Sequence, residues 1–276
     1  MAISKKLEII YHNGQTDGIK SIRRHLSTMT TYIIPRSLLS EAKKIQGVNR
    51  QGIYYLINED EDNNIAQIYI GQTQNGIERL TDHNATKLFW KKAILFLADK
   101  KTFSLDMISG LEVYAINKAH DVKRYKVENA VNPRYIIDEY DMPLIEEVYE
   151  EIQFIMATQG YKMDNPSFVN DDKKLHTTRN GIIAYGVYSE DHFDVLEGSE
   201  IDFSKQCKSE IVNRQRNTAL KNGDIIEKNG KHYTTVSFTF SSPSTAGMFV
   251  LGGSINGWVE WKGKDGKTLD ELYRKN

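Results

Sequence analysis

The chain of 276 residues contains one cysteine, Cys207, so it can form no internal disulfide and assemble no thiolate metal site; that usage is expected of a reducing compartment. Its net charge is only −1, which excludes a protein coated with basic surface for packaging nucleic acid. No apolar run approaches the length of a membrane span, and residues 1–10 lack the apolar segment of a signal peptide. The expected setting is therefore cytoplasmic, with no membrane partner. Also absent are a P-loop, a glycine-rich dinucleotide turn after a strand, a His-Glu-x-x-His helix and any Cys/His cluster. Gly252-Gly253 lacks the strand-loop-helix setting of a phosphate cradle, and there is no repeat or low-complexity tract.

What is there is a globular composition, 39% hydrophobic and 26% charged, on a chain long enough for two domains. Charge is unevenly spread: residues 1–51 hold nine Lys/Arg against three Asp/Glu, and residues 133–180 five against ten. The N-terminal surplus, including Lys20, Arg23 and Arg24, reads as a phosphate-facing surface or as a solvated face.

Residues 52–58 and 66–71 are β-branched and aromatic runs separated by the polar break 59–64, the pattern of an antiparallel hairpin. Strands are also expected at 7–11 and 31–34. A short amphipathic helix is expected over 36–46, ended by Gly47. Helical spacing continues from Ile77 to Asn84, where Arg79 and His83, four residues apart, share a face. A buried strand over 88–97 and helices over 104–119 and 142–158 follow. The polar stretch 162–180 reads as a linker. Beyond it, strands are expected over 181–188, 193–197, 223–227 and 232–240, with Asn229-Gly230 as a tight turn. Helices are expected near 204–221, 244–251 and 268–274. This gives an N-terminal extension (1–51), a central module (52–132), a helix and linker (133–180) and a C-terminal domain (181–276).

The tripeptides Gly52-Ile53-Tyr54 and Tyr69-Ile70-Gly71, followed by Arg79, His83, Glu112 and Asn129, resemble the GIY-YIG nuclease family over residues 52 to about 130. On pattern alone the two tyrosines read as packing residues, Glu112 as an exposed helix residue, and Arg79 with His83 as a solvated face. The resemblance implies an α/β (α+β) fold, a small antiparallel or mixed sheet flanked by helices. It also implies DNA phosphodiester hydrolysis with one divalent ion, Mg²⁺ or Mn²⁺, on Glu112. The chemistry asks for a base, positive charge over the phosphoryl oxygens and a hard-cation ligand. In that scheme Tyr54 accepts the water's proton, Tyr69 orients the water or the base, Arg79 pairs with non-bridging oxygens, and His83 bonds within the set or to phosphate. Asn129 supports Glu112. Lys91 and Lys92 follow the histidine where some members keep another side chain.

Gly198-Ser199, Arg216, residues 240–246, Asn256-Gly257-Trp258, Trp261 and residues 266–269 are similar to a small α+β domain of unknown function often attached to such nucleases. The expected role of this domain is to select the DNA or a protein partner. Ser242-Pro243 reads as a helix start, and Trp258 and Trp261 as core in preference to base-stacking platforms. The alternative for the whole chain is a DNA-binding protein whose nuclease fold is weak or inactive. One site cutting two strands would call for a homodimer or for sequential nicking.

Overall fold

A computed structural model describes residues 4–58, 67–122, 124–130, 133–163, 171–189 and 192–275. The described residues divide into two units, one made up of residues 4–58, 67–121 and 125–163 apart from 131–132, and the other of residues 122, 124, 171–189 and 192–275.

The first unit is built on a seven-stranded sheet of β1 (Leu7–Tyr11), β2 (Lys20–Arg24), β3 (Thr30–Pro35), β4 (Gln51–Asn58), β5 (Gln67–Thr73), β6 (Lys92–Ala98) and β7 (Lys126–Val127). Their order is β1-β2-β3-β6-β4-β5-β7, and every pairing is antiparallel except β5 with β7. Residues 1–51, read as an extension, thus supply three strands of the sheet. Strand β2 escaped the sequence pattern because Lys20, Arg23 and Arg24 obscure its alternation; pairing on both sides and burial of Ile22 decide its conformation.

Side chains on β4 alternate between two cores. Ile53, Tyr55 and Ile57 enter one core with α3 (Leu105–Val122) and α4 (Met142–Thr158). Tyr54 and Leu56 enter the other with Leu39 and Ala42 of α1 (Leu39–Ala42) and Ile77 and Leu80 of α2 (Ile77–Thr86). Helix α1 and the 3-10 turn Arg36–Leu38 are all that forms of the helix expected over 36–46, since so short a run gains little from propagation. The strand expected over 88–97 begins only at Lys92; Trp90, buried ahead of it, lies under the Arg36 guanidinium at 4.9 Å.

The second unit contains β8 (Lys174–Thr177), β9 (Ala184–Ser189), β10 (His192–Val195), β11 (Glu200–Ile201), α5 (Glu210–Asn222), β12 (Ile225–Lys228), β13 (Lys231–Thr234), β14 (Phe238–Phe240), α6 (Pro243–Leu251), α7 (Gly257–Glu260) and α8 (Leu269–Tyr273). A four-stranded sheet ordered β14-β10-β9-β8 and a three-stranded sheet ordered β11-β13-β12 enclose Phe193, Phe238, Phe249 and Trp261. The strand expected over 232–240 is two strands in different sheets. Likewise, the stretch expected as a linker contains β8, while 164–170 lies outside the described residues. Helix α5 starts at Glu210, where Ser209 accepts the Val212 N–H. Asn229 and Gly230 both take positive φ in the β12–β13 hairpin, and Ser242 caps α6 with Pro243 in its first turn. Both units mix helices and sheets, so the chain is of the α+β class. Among the described residues no helix is long and apolar enough to cross a membrane.

Candidate active site

Register decides how the two tyrosines lie. Tyr54 pairs with Gly71 and Leu56 with Tyr69, so Tyr54 and Tyr69 share the sheet face covered by α2, with ring centroids 6.3 Å apart. His83, on the buried side of α2, closes the triangle, 5.6 Å from the Tyr54 ring and 5.4 Å from the Tyr69 ring. Its Nε2 is 2.6 Å from the Tyr54 hydroxyl, and its Nδ1 is buried without a hydrogen-bond partner. We assign the imidazole proton to Nε2, because an unpaired buried lone pair is tolerated better than an unpaired buried N–H. Tyr54 then receives a hydrogen bond at Oη.

Gly71 makes this arrangement possible. A methyl group there would overlap the Tyr54 hydroxyl and stand 2.6 Å from its Cζ, so the absence of a side chain is what lets the phenol lie across the strand. Replacing Gly71 with alanine is expected to cost about 1–3 kcal/mol of stability. It should also lower any cleavage rate by roughly 100-fold by displacing Tyr54. Paired unfolding and rate measurements check this, and a change in stability alone would detach Gly71 from the chemistry.

Arg79 and Glu112 stand at the rim. The Arg79 side chain is 50% exposed, with Asp82 at 3.8 Å as an ion-pair partner. Glu112, far from being an exposed helix residue, is only 8% exposed on α3, and its Oε1 accepts the Gln72 N–H at 3.1 Å. Burial raises its pKa above the usual carboxylate range; hydrogen bonds from the Gln72 backbone and side chain and the charge of Arg79 pull it back. Burial also raises Tyr54 and Tyr69. The Tyr69 and Glu112 charges push Tyr54 further up, Glu112 does the same to Tyr69, and Arg79 opposes both shifts.

His83 is pushed down to about 4, first by burial and then by the charges of Arg79 and Lys87. It is therefore neutral at pH 7. The unfolded chain takes up this proton near pH 6.5 and the folded chain only near pH 4, so His83 contributes stability above pH 6.5 that is lost as pH falls through that window. The loss is bounded by about 3 kcal/mol. Thermal melts between pH 7 and 4 should show a shallower decline for His83→Gln than for the parent; equal slopes would contradict the shift.

Asn129 is placed differently from the expectation that it supports Glu112. Its Oδ1 accepts the Ile70 N–H at 3.0 Å and its Nδ2 donates to the Ile70 carbonyl at 2.7 Å. The amide therefore continues the β5–β7 ladder beside Tyr69 and Gly71, and fixes the strand that carries them. Of the two lysines after the histidine, Lys92 donates to the Tyr161 hydroxyl at 2.7 Å.

Lys87 was not among the candidates, yet its ammonium lies 4.0 Å from the Tyr69 ring centroid. The signal was in the sequence, since Lys87 follows Arg79 and His83 at the same four-residue spacing, although α2 ends at Thr86 and Lys87 itself is extended. Beside this cluster Gln72, Gln74, Asn75, Arg79, Asp82 and Ser109 line an open groove of about 610 Å³. Among the described residues no three His, Cys, Asp or Glu side chains converge on a metal position.

Comparison with known families covers the other end of the chain. Residues 175–273 match a domain of unknown function, DUF4357. No curated protein and no solved structure matches the chain. The DUF4357 match spans β8 to α8, nearly the whole second unit, and leaves the tyrosine cluster of the first unit outside it.

Proposed function

We propose that this protein is a GIY-YIG endonuclease that hydrolyses DNA phosphodiester bonds with one divalent cation. The observation that carries the reading is the meeting of Tyr54, Tyr69 and His83 on one sheet face, with Arg79 and Glu112 acting on their charge from the rim.

The Glu112 carboxylate suits a hard cation. It is buried and disfavoured in its charged form, so a positive ion beside it would offset its desolvation, and a single carboxylate plus water and phosphate is a donor set that Mg²⁺ or Mn²⁺ accepts. When bound, the ion would polarise the phosphoryl group and acidify the attacking water. Tyr54 takes the water's proton at Oη, which requires the phenolate. Burial opposes that form, while the Arg79 charge and the Nε2–H donated by His83 favour it. Tyr69 orients the water or Tyr54, and the half-exposed Arg79 is free to turn its planar guanidinium onto the non-bridging oxygens. Asn129 holds the backbone between Tyr69 and Gly71. The single, buried Cys207 supports a cytoplasmic setting for this activity.

Incubating supercoiled plasmid and single-stranded DNA with the protein and Mg²⁺ tests the reading. Cleavage that rises with pH in the parent and disappears in Tyr54→Phe is expected. Absence of cleavage of both substrates by the parent would overturn it.

A further inference from the structure

The second unit has a cavity of about 370 Å³ on its four-stranded sheet, lined by Lys174, Leu175, His176, Tyr185, Leu196, Glu197 and Lys264. Its walls follow from register. His176 on the edge strand β8 stands opposite Tyr185 on β9, and Lys174 lies two residues along the same face. The other side of His176 is paired with Lys262, which brings the segment carrying Lys264 alongside. Tyr185 is 44% exposed although it is an aromatic residue inside a strand. The Lys264 ammonium pairs with the 80% exposed Asp172 at 3.5 Å, a loose ion pair that an incoming anion can displace.

We infer that this cavity binds one unstacked nucleotide of single-stranded nucleic acid, its phosphate between Lys174 and Lys264 and its base against the Tyr185 ring. Three kinds of group converge here and a nucleotide uses all of them. Two ammonium groups meet a phosphate, the exposed phenol ring of Tyr185 meets a base, and the Glu197 carboxylate accepts from an exocyclic amino group, as on cytosine or adenine. An acidic peptide would use the lysines alone and meet repulsion from Glu197. The volume lies near the lower end for ligand sites, which suits one nucleotide and excludes a base-paired duplex. The tryptophans offer no comparable platform. Trp261 is fully buried with its Nε1–H bonded to the Pro243 carbonyl, and Trp258 is covered by the Arg274 guanidinium at 3.4 Å and by Tyr188.

The inference extends the proposed nuclease reading to substrate selection, and binding measured in EDTA does not depend on cleavage, so the two can fail separately. Fluorescence anisotropy of the full chain with labelled oligo-dC, oligo-dT and duplex DNA is the test. Oligo-dC should bind more tightly than oligo-dT and duplex. Tyr185→Ala, and Lys174→Ala with Lys264→Ala, should each weaken oligo-dC binding about tenfold or more, whereas Tyr185→Phe should retain it. Glu197→Gln should remove the preference for dC over dT. Binding of oligo-dC by the alanine variants within twofold of the parent would overturn the site, as would equal competition by polyglutamate.

Discussion

Replacing Glu112 with glutamine is expected to reduce Mg²⁺-dependent plasmid cleavage by about three orders of magnitude while leaving the chain at least as stable as the parent. The two effects have one origin. Glu112 is 8% exposed, and burial disfavours its charged form. Glutamine keeps an Oε1 to accept the Gln72 N–H and removes the charge whose desolvation is unfavourable, so folding gains what catalysis loses. Initial nicking rates at several Mg²⁺ concentrations and a calorimetric melt would be measured together. Cleavage within tenfold of the parent would remove Glu112 from the cation site. A fall in Tm of more than about 4 °C, roughly 1 kcal/mol or more, would show instead that the carboxylate serves folding.

Arg79→Ala should lower kcat by about 10³-fold with little change in Tm. Its side chain is half exposed, and its 3.8 Å contact with Asp82 is an exposed i,i+3 pair worth well under about 1 kcal/mol. In the proposed mechanism it delivers charge to the reacting phosphate, and its charge opposes the burial-raised pKa values of the Tyr54 phenol and the Glu112 carboxyl. Arg79→Lys keeps the charge without the planar fork, so it should restore only part of the rate. A kcat unchanged in Arg79→Ala, with only KM raised, would assign Arg79 to ground-state DNA binding.

Much of the candidate site was legible in one dimension because its parts sit on short-range periodicities. The hairpin pattern of residues 52–71 placed both tyrosines on paired strands, and the four-residue spacing placed Arg79 and His83 on one helix. The same spacing held Lys87, which became significant only once Tyr69 was found beneath it. Asn129 was readable as a member of the set, but its partner was not. Its bonding to Ile70 depends on β7 meeting β5 in parallel, a contact between segments some 60 residues apart. Strand β2 and the division of 232–240 between two sheets were hidden for the same reason, since partners across a sheet outweigh the preferences of single residues.

By itself, the sequence determined the α+β composition, the turns and caps at Asn229-Gly230 and Ser242-Pro243, and which side chains could do chemistry; these depend on neighbours within one turn or one hairpin. Only the tertiary structure decided that Glu112 is buried, that His83 is held neutral, that Gly71 is empty so Tyr54 can cross it, and that Tyr185 and the lysines of the second unit share one cavity. Each of those is a property of the surroundings. Desolvation, charge proximity and free space are set by what the rest of the chain brings within a few ångströms, and no local pattern encodes them.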